Sequence, residues 1–282
     1  LRDERLRRWR AHRALALRRQ AHFRSLVLAY CGANVRARED RRTPPALAEP
    51  PPVPLAACSA LPSSADDPPR VVMVLFDVSE STGREGLRQL YLDTFRLVLR
   101  AVDGVDDPGA VLGADVIDDN PLAHGRLPIN ARFEPCTVLD NRLECQEERE
   151  AEARAAEEAA QAILARARRG TDVVGGLALA ELFFQAHPEG ERYLVICSDM
   201  LQVGRGIRLA EPGVLDGAAG ELLERLPTVD LSGARVYVAG AGASRTDLSP
   251  GTIEAVEAFW RAYFQRAGAE VVLYGPALPR FP

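Results

Sequence analysis

Residues 71–81 read VVMVLFDVSES, and this stretch decides which fold the sequence predicts. Its first six residues form a continuous apolar run that is typical of a parallel strand buried on both faces. The run ends at the carboxylate of Asp77, and the hydroxyls of Ser79 and Ser81 follow at alternate positions. One short loop at the end of a strand therefore presents three side-chain oxygen donors. Donor sets made only of oxygen suit hard cations such as Mg²⁺.

Strands and helices alternate from residue 70 to the end of the chain. Further apolar runs that are typical of strands occur at 110–117, 127–133, 192–197, 236–239 and 271–274. Apolar residues at helical spacing predict a helix at 86–102 and another between the N-cap Ser249 and the stop Gly268. An acidic start and a basic end predict a helix at 147–169, and a further helix is predicted after Thr171 at 173–186. This alternation predicts an α/β fold with a doubly wound, mostly parallel central sheet and helices on both faces.

Two later segments of the chain carry matching oxygen donors. Thr171 stands at the start of the helix 173–186, and Asp199 directly follows the strand 192–197. In doubly wound sheets ligands bind at the carboxyl ends of the strands, which is where we expect Asp77 and Asp199. Three distant segments are therefore predicted to converge on one edge of the sheet, as a metal site requires.

With these motifs, residues 70–282 resemble the von Willebrand factor A family, whose metal-ion-dependent adhesion site is written Asp-x-Ser-x-Ser, then Thr, then Asp. The resemblance implies a divalent cation, Mg²⁺ or alternatively Mn²⁺ or Ca²⁺, and a protein partner that offers an Asp or Glu to it. The metal ligands that it implies are Asp77, Ser79, Ser81, Thr171 and Asp199. The neighbouring Glu80 and Asp172 are expected to be solvated or to cap a helix. The family usually continues with Gly after its last Asp, and this chain has Met200 there, which leaves the path of that loop open.

Three functions stay open at this point. The first is a non-enzymatic, metal-dependent protein-binding module. The second is a phosphatase of the haloacid dehalogenase class, which also places an Asp at the end of its first strand. That chemistry uses a second carboxylate two residues later, where this chain has Ser79, and usually a Lys, which this chain lacks. The third is a scaffold of the same fold whose metal site is vestigial.

The composition excludes other classes of function. The formal net charge is −5, which gives no reason to expect nucleic acid binding. All 35 basic residues are Arg, so a P-loop lysine or a Schiff-base lysine is excluded. The four His residues have no paired spacing, which argues against a zinc hydrolase.

The first 69 residues differ in composition from the rest of the chain. Residues 1–24 are rich in Arg and residues 43–69 are rich in Pro, which predicts a basic segment followed by a stiff, extended linker. Within the linker, residues 55–59 read LAACS and resemble a bacterial lipobox, which implies lipidation of Cys58 and a membrane attachment through this lipid anchor. The protein would then be exported to the cell envelope or periplasm. The alternative is a cytoplasmic protein with a Pro/Ala linker.

Two further features concern cysteines and acidic residues after residue 70. Cys136 and Cys145 flank a short polar loop, and they either close a disulfide or remain two separate thiols. Cys197 lies within a predicted strand and is expected to act as a small buried hydrophobe. The acidic clusters at 103–107 and 115–119 lack the spacing of a Ca²⁺-binding loop, and we expect them to be solvated turns.

Overall fold

A computed structural model describes residues 68–79, 82, 85–104, 108–136, 140–205, 207–209, 211, 214–215, 219–243 and 248–282. The described residues from 68 to 136 and from 142 to 282 belong to one compact unit. Asp140 and Asn141 belong to a second unit, whose other residues are not described. The predicted basic segment, the linker with Cys58 and the metal ligand Ser81 lie outside the described residues.

The secondary structure alternates between strands and helices along the chain. In order, the elements are β1 (Arg70–Asp77), α1 (Glu85–Val102), β2 (Ala110–Ile117), β3 (Ile129–Phe133), α2 (Arg142–Leu164), α3 (Val173–Ala186), β4 (Glu191–Cys197), β5 (Val203–Gly204), β6 (Ile207–Arg208), α4 (Ala219–Arg225), β7 (Arg235–Ala239), α5 (Pro250–Arg266) and β8 (Glu270–Gly275). A short 3₁₀ turn, Pro121–Ala123, lies between β2 and β3.

The main sheet has six strands in the order β3-β2-β1-β4-β7-β8. Neighbouring strands run parallel, except for β2 and β3, which are antiparallel. The short strands β5 and β6 pair with each other in a separate two-stranded sheet. The predicted doubly wound, mostly parallel α/β sheet is thereby confirmed.

Strand β1 lies inside the sheet and contributes side chains to two hydrophobic cores. Val72, Val74 and Phe76 pack on one face, in the core that also contains residues of α1 and α2. Met73 and Leu75 pack on the other face, together with residues of α3, α4 and α5. Because helices cover both faces, a continuous apolar run is stable here, and each large side chain contributes about 1.5–3 kcal/mol by its burial.

Two elements, α2 and β3, differ from the sequence prediction by two residues or more at one end at least. Helix α2 covers Arg142–Leu164 instead of 147–169. It ends early because the backbone N–H of Arg168 donates to the carbonyl oxygen of Val78, at an N–O distance of 2.9 Å, and so belongs to a loop beside β1. Strand β3 begins at Ile129 instead of 127, directly after Pro128, which has no N–H to donate to a neighbouring strand.

The helices of the described residues have ordinary lengths for a globular protein. None of them combines the length and the hydrophobicity that a bilayer crossing needs.

Candidate metal centre

The connections of the sheet change direction between β1 and β4. Helix α1 leads from β1 to β2 on one face, whereas α3 leads into β4 on the other face, and β4 lies on the opposite side of β1 from β2. In doubly wound sheets the crevice at such a switch point, outside the carboxyl ends of the strands, is where ligands bind. Asp77 is the last residue of β1, and Asp199 follows two residues after the end of β4.

Asp77 is held in place by hydrogen bonds from two loops. The backbone N–H of Ser79 donates to its Oδ1 at 3.0 Å, and the hydroxyl of Ser198 donates to its Oδ2 at 2.8 Å. The Thr82 hydroxyl donates to the backbone carbonyl of Asp77 at 2.8 Å and closes the loop after β1. The Asp77 side chain is buried, as are Ser79, Thr82 and Ser198.

Asp199 is also buried and lies in a well-anchored loop. The N–H of Leu201 donates to its Oδ1 at 2.9 Å. The next residue, Met200, has a positive φ of 62°, which is the backbone conformation that Gly adopts most readily. The indole N–H of Trp260 donates to the Met200 carbonyl at 2.8 Å. Met200 therefore has the backbone conformation that Gly would adopt at this position. The sequence left the path of this loop open, and the structure shows a left-handed turn there.

Thr171 lies between these two loops. Arg168, three residues before it, donates from its backbone N–H to Val78 in the loop after β1. Thr171 itself exchanges backbone hydrogen bonds with Val203, at N–O distances of 3.3 and 3.0 Å, and Val203 follows the loop that contains Asp199. The Thr171 side chain is buried, and its hydroxyl makes no hydrogen bond to any described residue. The hydroxyl is therefore available to a ligand.

The electrostatics of this edge are unfavourable without a cation. Burial, with the negative charge of Asp199 as the second cause, raises the pKa of Asp77 to about 7, although hydrogen bonds from Ser79 and Ser198 act to lower it. Burial also raises the pKa of Tyr91, with the charges of Asp77 and Asp199 as further causes. The Tyr91 hydroxyl is buried and has no hydrogen-bond partner among the described residues. Two neighbouring buried carboxylates of this kind need a positive charge to stay ionised.

The donor set consists of oxygen atoms only, which fits a hard divalent cation. Four of the five predicted ligands are described, and hydrogen bonds link the loops that carry Asp77, Ser79, Thr171 and Asp199 at one sheet edge. Within the described part of the chain, no three His, Cys, Asp or Glu side chains come together as a set that could hold a metal ion. A cation here would be held by two carboxylates together with Ser and Thr hydroxyls, a set of oxygen donors of the kind that hard divalent cations such as Mg²⁺ prefer.

Sequence reasoning missed two residues of this edge, Ser198 and Thr82. Ser198 links the loops after β1 and β4, because its hydroxyl donates to Asp77 and accepts from the Met200 N–H at 2.9 Å. Its place directly before Asp199 was the only sequence signal for it. Thr82 gave no signal, because its hydroxyl donates to the backbone carbonyl groups of Asp77 and Ser79, and no sequence motif marks such hydrogen bonds.

The prediction that Asp115 and Asp118 lie in solvated turns is wrong. Both side chains are buried, because His124 places one ring nitrogen against each: Nδ1 lies 2.9 Å from Asp115 Oδ1 and Nε2 lies 2.8 Å from Asp118 Oδ2. Arg168 adds a hydrogen bond of 2.8 Å to Asp118 Oδ2. Burial raises the pKa of Asp115, whereas for Asp118 the hydrogen bonds outweigh burial and the pKa is lowered.

Other predicted residues have structural positions. Asp172 caps helix α3, since its Oδ1 accepts from the Gly175 N–H at 3.1 Å, and it also pairs with Arg205 at 2.9 Å. Cys136 and Cys145 are joined in a disulfide with a Cα–Cα distance of 5.9 Å. Cys197 is a buried free thiol.

No family model and no curated protein matches this chain. Several solved structures are similar to it. A von Willebrand factor type A protein from Catenulispora acidiphila is 15% identical, with 74% of this chain and 39% of that one covered and a TM-score of 0.37. Proximal thread matrix protein 1 from the mussel byssus, solved with a zinc-occupied MIDAS motif, is 12% identical, with 74% and 44% covered and a TM-score of 0.37. The pilus adhesin SpaC from Lactobacillus rhamnosus GG is 12% identical, with 73% and 28% covered and a TM-score of 0.38.

This chain spans less than half the length of each of these three proteins. All three TM-scores lie below 0.5. The function of this chain therefore has to be argued from its own residues.

Proposed function

We propose that the edge between β1 and β4 binds one divalent cation, Mg²⁺ or in its place Mn²⁺ or Ca²⁺, and that an acidic side chain of a protein partner attaches to this cation. The residues that would hold the cation are Asp77, Ser79, Ser81, Thr171 and Asp199. One observation carries the proposal: Asp77 at the end of β1 and Asp199 in the loop after β4 are both buried at the switch point of the sheet, close enough for their charges to interact. Burying two like charges side by side is costly unless a cation or a proton compensates them.

The donor types explain why the site would capture an acidic partner. Hydroxyl ligands are neutral, so a divalent cation with few carboxylate ligands keeps more positive charge than one in an all-carboxylate site. When bound, the cation would supply a coordination position that attracts another carboxylate. The available hydroxyl of Thr171 is consistent with this arrangement.

We place this function ahead of phosphatase chemistry. A phosphatase of the haloacid dehalogenase class needs a second carboxylate two residues after Asp77, and Ser79 stands there. The hydrogen bonds that Asp77 accepts from Ser79 and Ser198 fix both of its oxygens, which suits a metal ligand more than a nucleophile that has to attack a phosphorus atom. The chain also has no Lys.

Export of the protein, with lipid attachment at Cys58, belongs to the same proposal. Its support is the disulfide between Cys136 and Cys145, because disulfides persist mainly in oxidising compartments. Mass spectrometry of the native protein tests it: a lipid-modified N-terminal Cys58 is expected, whereas an unmodified chain extending through residues 1–57 and carrying free thiols would contradict it.

Calorimetric titration with Mg²⁺ and Mn²⁺ tests the metal site itself. We expect one site per chain in the wild type and none in Asp77→Asn. Asp93→Asn is the matched control, because Asp93 lies on the surface of α1 with more than half of its side chain exposed. Absence of binding in the wild type would favour the vestigial scaffold.

The partner is tested by affinity capture from the native source. Recovery of a protein partner should be lost in EDTA, return with Mg²⁺ and fail with Asp77→Asn. Recovery that is unchanged in EDTA would contradict the proposal. Hydrolysis of p-nitrophenyl phosphate that disappears in Asp77→Asn would favour the phosphatase instead.

A further inference from the structure

A cavity opens beside the loops of the candidate metal centre. It has a volume of about 380 Å³ and lies between the end of β2, the segment after it and the end of α2. Three arginines line it, Arg126, Arg166 and Arg168. Val116, Pro128 and Ile163 contribute an aliphatic wall. The volume falls in the range of about 300–1,000 Å³ that is typical of small-molecule sites.

One acidic residue, Asp115, lines the cavity together with the three arginines, and a second, Asp118, lies next to it on the other side of His124. Asp115 contacts one ring nitrogen of His124, and Asp118 contacts the other and also Arg168. Arg168 thus offsets the charge of Asp118, with which it forms an ion pair at 2.8 Å.

Arg126 and Arg166 have no such match. Neither guanidinium group forms a hydrogen bond or an ion pair with any described residue. Both residues are exposed to solvent, and both line the cavity. Guanidinium groups bind carboxylates through paired, charge-assisted hydrogen bonds, and two of them at one cavity form a receptor for an anion.

We propose that this cavity binds the carboxylate of a small amphipathic acid, with Arg126 and Arg166 on the carboxylate and the aliphatic wall on the apolar part. The acid is either a free compound or the C-terminal residue of a peptide, which share this chemistry. The site does not depend on the divalent cation. It does adjoin the metal loop, because Arg168 lines the cavity with its side chain and donates from its backbone N–H to Val78.

Titration of the full chain with N-acetyl-leucine in EDTA tests this site without any contribution from a metal. N-acetyl-leucine is expected to bind. N-acetyl-leucine amide, which lacks the charge, is expected to bind at least about ten-fold more weakly. Free acetate, which lacks the apolar group, is also expected to bind at least about ten-fold more weakly. A tripeptide that ends in Leu distinguishes the two sources: tighter binding than N-acetyl-leucine identifies a peptide terminus, and weaker binding identifies a free acid. Equal binding of the amide would overturn the proposal.

Substitution of the two arginines tests their roles. Arg126→Gln and Arg166→Gln should each weaken binding of N-acetyl-leucine by about ten-fold or more, because each removes a charge-assisted hydrogen bond. Both side chains are exposed, so the variants should fold normally. Arg132→Gln is the matched control, since Arg132 is exposed on β3 outside the cavity. Binding that is the same in all three variants would show that the arginines do not form the site.

Discussion

Met200 has a left-handed backbone conformation although it carries a long side chain. This conformation costs an L-residue about 1–2 kcal/mol. Two contacts hold it: the side chain is fully buried, and Trp260 donates a hydrogen bond to the carbonyl group. The turn places Asp199 beside Asp77, so at this residue local strain accompanies a candidate functional site.

Two substitutions of Met200 test this strain. Met200→Ala and Met200→Gly both remove the buried side chain, and each should lower the free energy of unfolding by about 2–5 kcal/mol. The Gly variant should nevertheless be more stable than the Ala variant by about 1 kcal/mol, because Gly adopts a positive φ without strain. Urea denaturation of both variants measures the order.

Met73 provides the control for that comparison. It is also fully buried, but it lies within strand β1, where the backbone is extended. Met73→Gly should therefore be less stable than Met73→Ala. If Gly is the less stable substitution at both positions, Met200 is not strained.

At the scale of elements, the loops after β1 and β4 act as one unit because Ser198 connects them. Ser198→Ala removes the hydroxyl that orients Asp77 and accepts from Met200. Residues that orient a metal ligand typically change metal affinity by about 10–100-fold, and we expect a loss in that range for Mn²⁺ in calorimetric titration. Ser232→Ala is the control, since its exposed hydroxyl bonds Asp230 elsewhere. Equal affinities of the two variants would contradict the role of Ser198.

Helices α1 and α2 are joined by a buried arginine. Arg149 of α2 donates to the carbonyl groups of Val102, Asp103 and Glu134, and thereby caps the carboxyl end of α1. Arg149→Met should lower the free energy of unfolding by about 2–4 kcal/mol, because buried carbonyl groups lose charged donors. Arg154→Met on the exposed side of the same helix should change it by less than about 0.5 kcal/mol. Urea denaturation compares the two, and similar losses would contradict the cap.

Helices with a clear start signal were predictable from the sequence. Very short strands, and a helix end that is set by a contact with a distant segment, were not. The predicted bounds of α3 agree with the structure because its apolar residues follow directly on the capping residue Asp172. The end of α2 was misplaced because nothing local to Arg168 indicates its hydrogen bond to Val78, which follows β1 some ninety residues earlier. The hairpin of β5 and β6 has strands of two residues each, too short to show any period.

At the scale of the whole molecule, the switch point of the sheet explains why the predicted ligands converge. Asp77, Thr171 and Asp199 were predictable because strand ends and helix starts meet at the carboxyl edge of a doubly wound sheet. The contact of Ser198 was not, since it joins residues that are 121 positions apart. The contacts of Thr82 and His124 join residues only five and nine positions apart, but no sequence motif marks them. A metal at this point would hold together three loops from distant parts of the chain.

That linkage predicts that the cation stabilises the entire fold. A free Mg²⁺ concentration about one hundred times the dissociation constant adds about 2.7 kcal/mol to the free energy of unfolding. For a domain of this size that corresponds to a rise in Tm of about 5–10 °C. Thermal unfolding with Mg²⁺ and with EDTA measures the rise, which should be absent in Asp77→Asn and preserved in Asp93→Asn. A rise of equal size in Asp77→Asn would place the stabilising cation elsewhere.

The most direct measurement is an anomalous difference map from crystals grown with Mn²⁺. We predict one strong peak beyond the carboxyl ends of β1 and β4, within coordination distance of oxygens from Asp77, Ser79 and Thr171, with Asp199 bound directly or through water. The absence of a peak there, or a peak only at other positions, would contradict the metal centre.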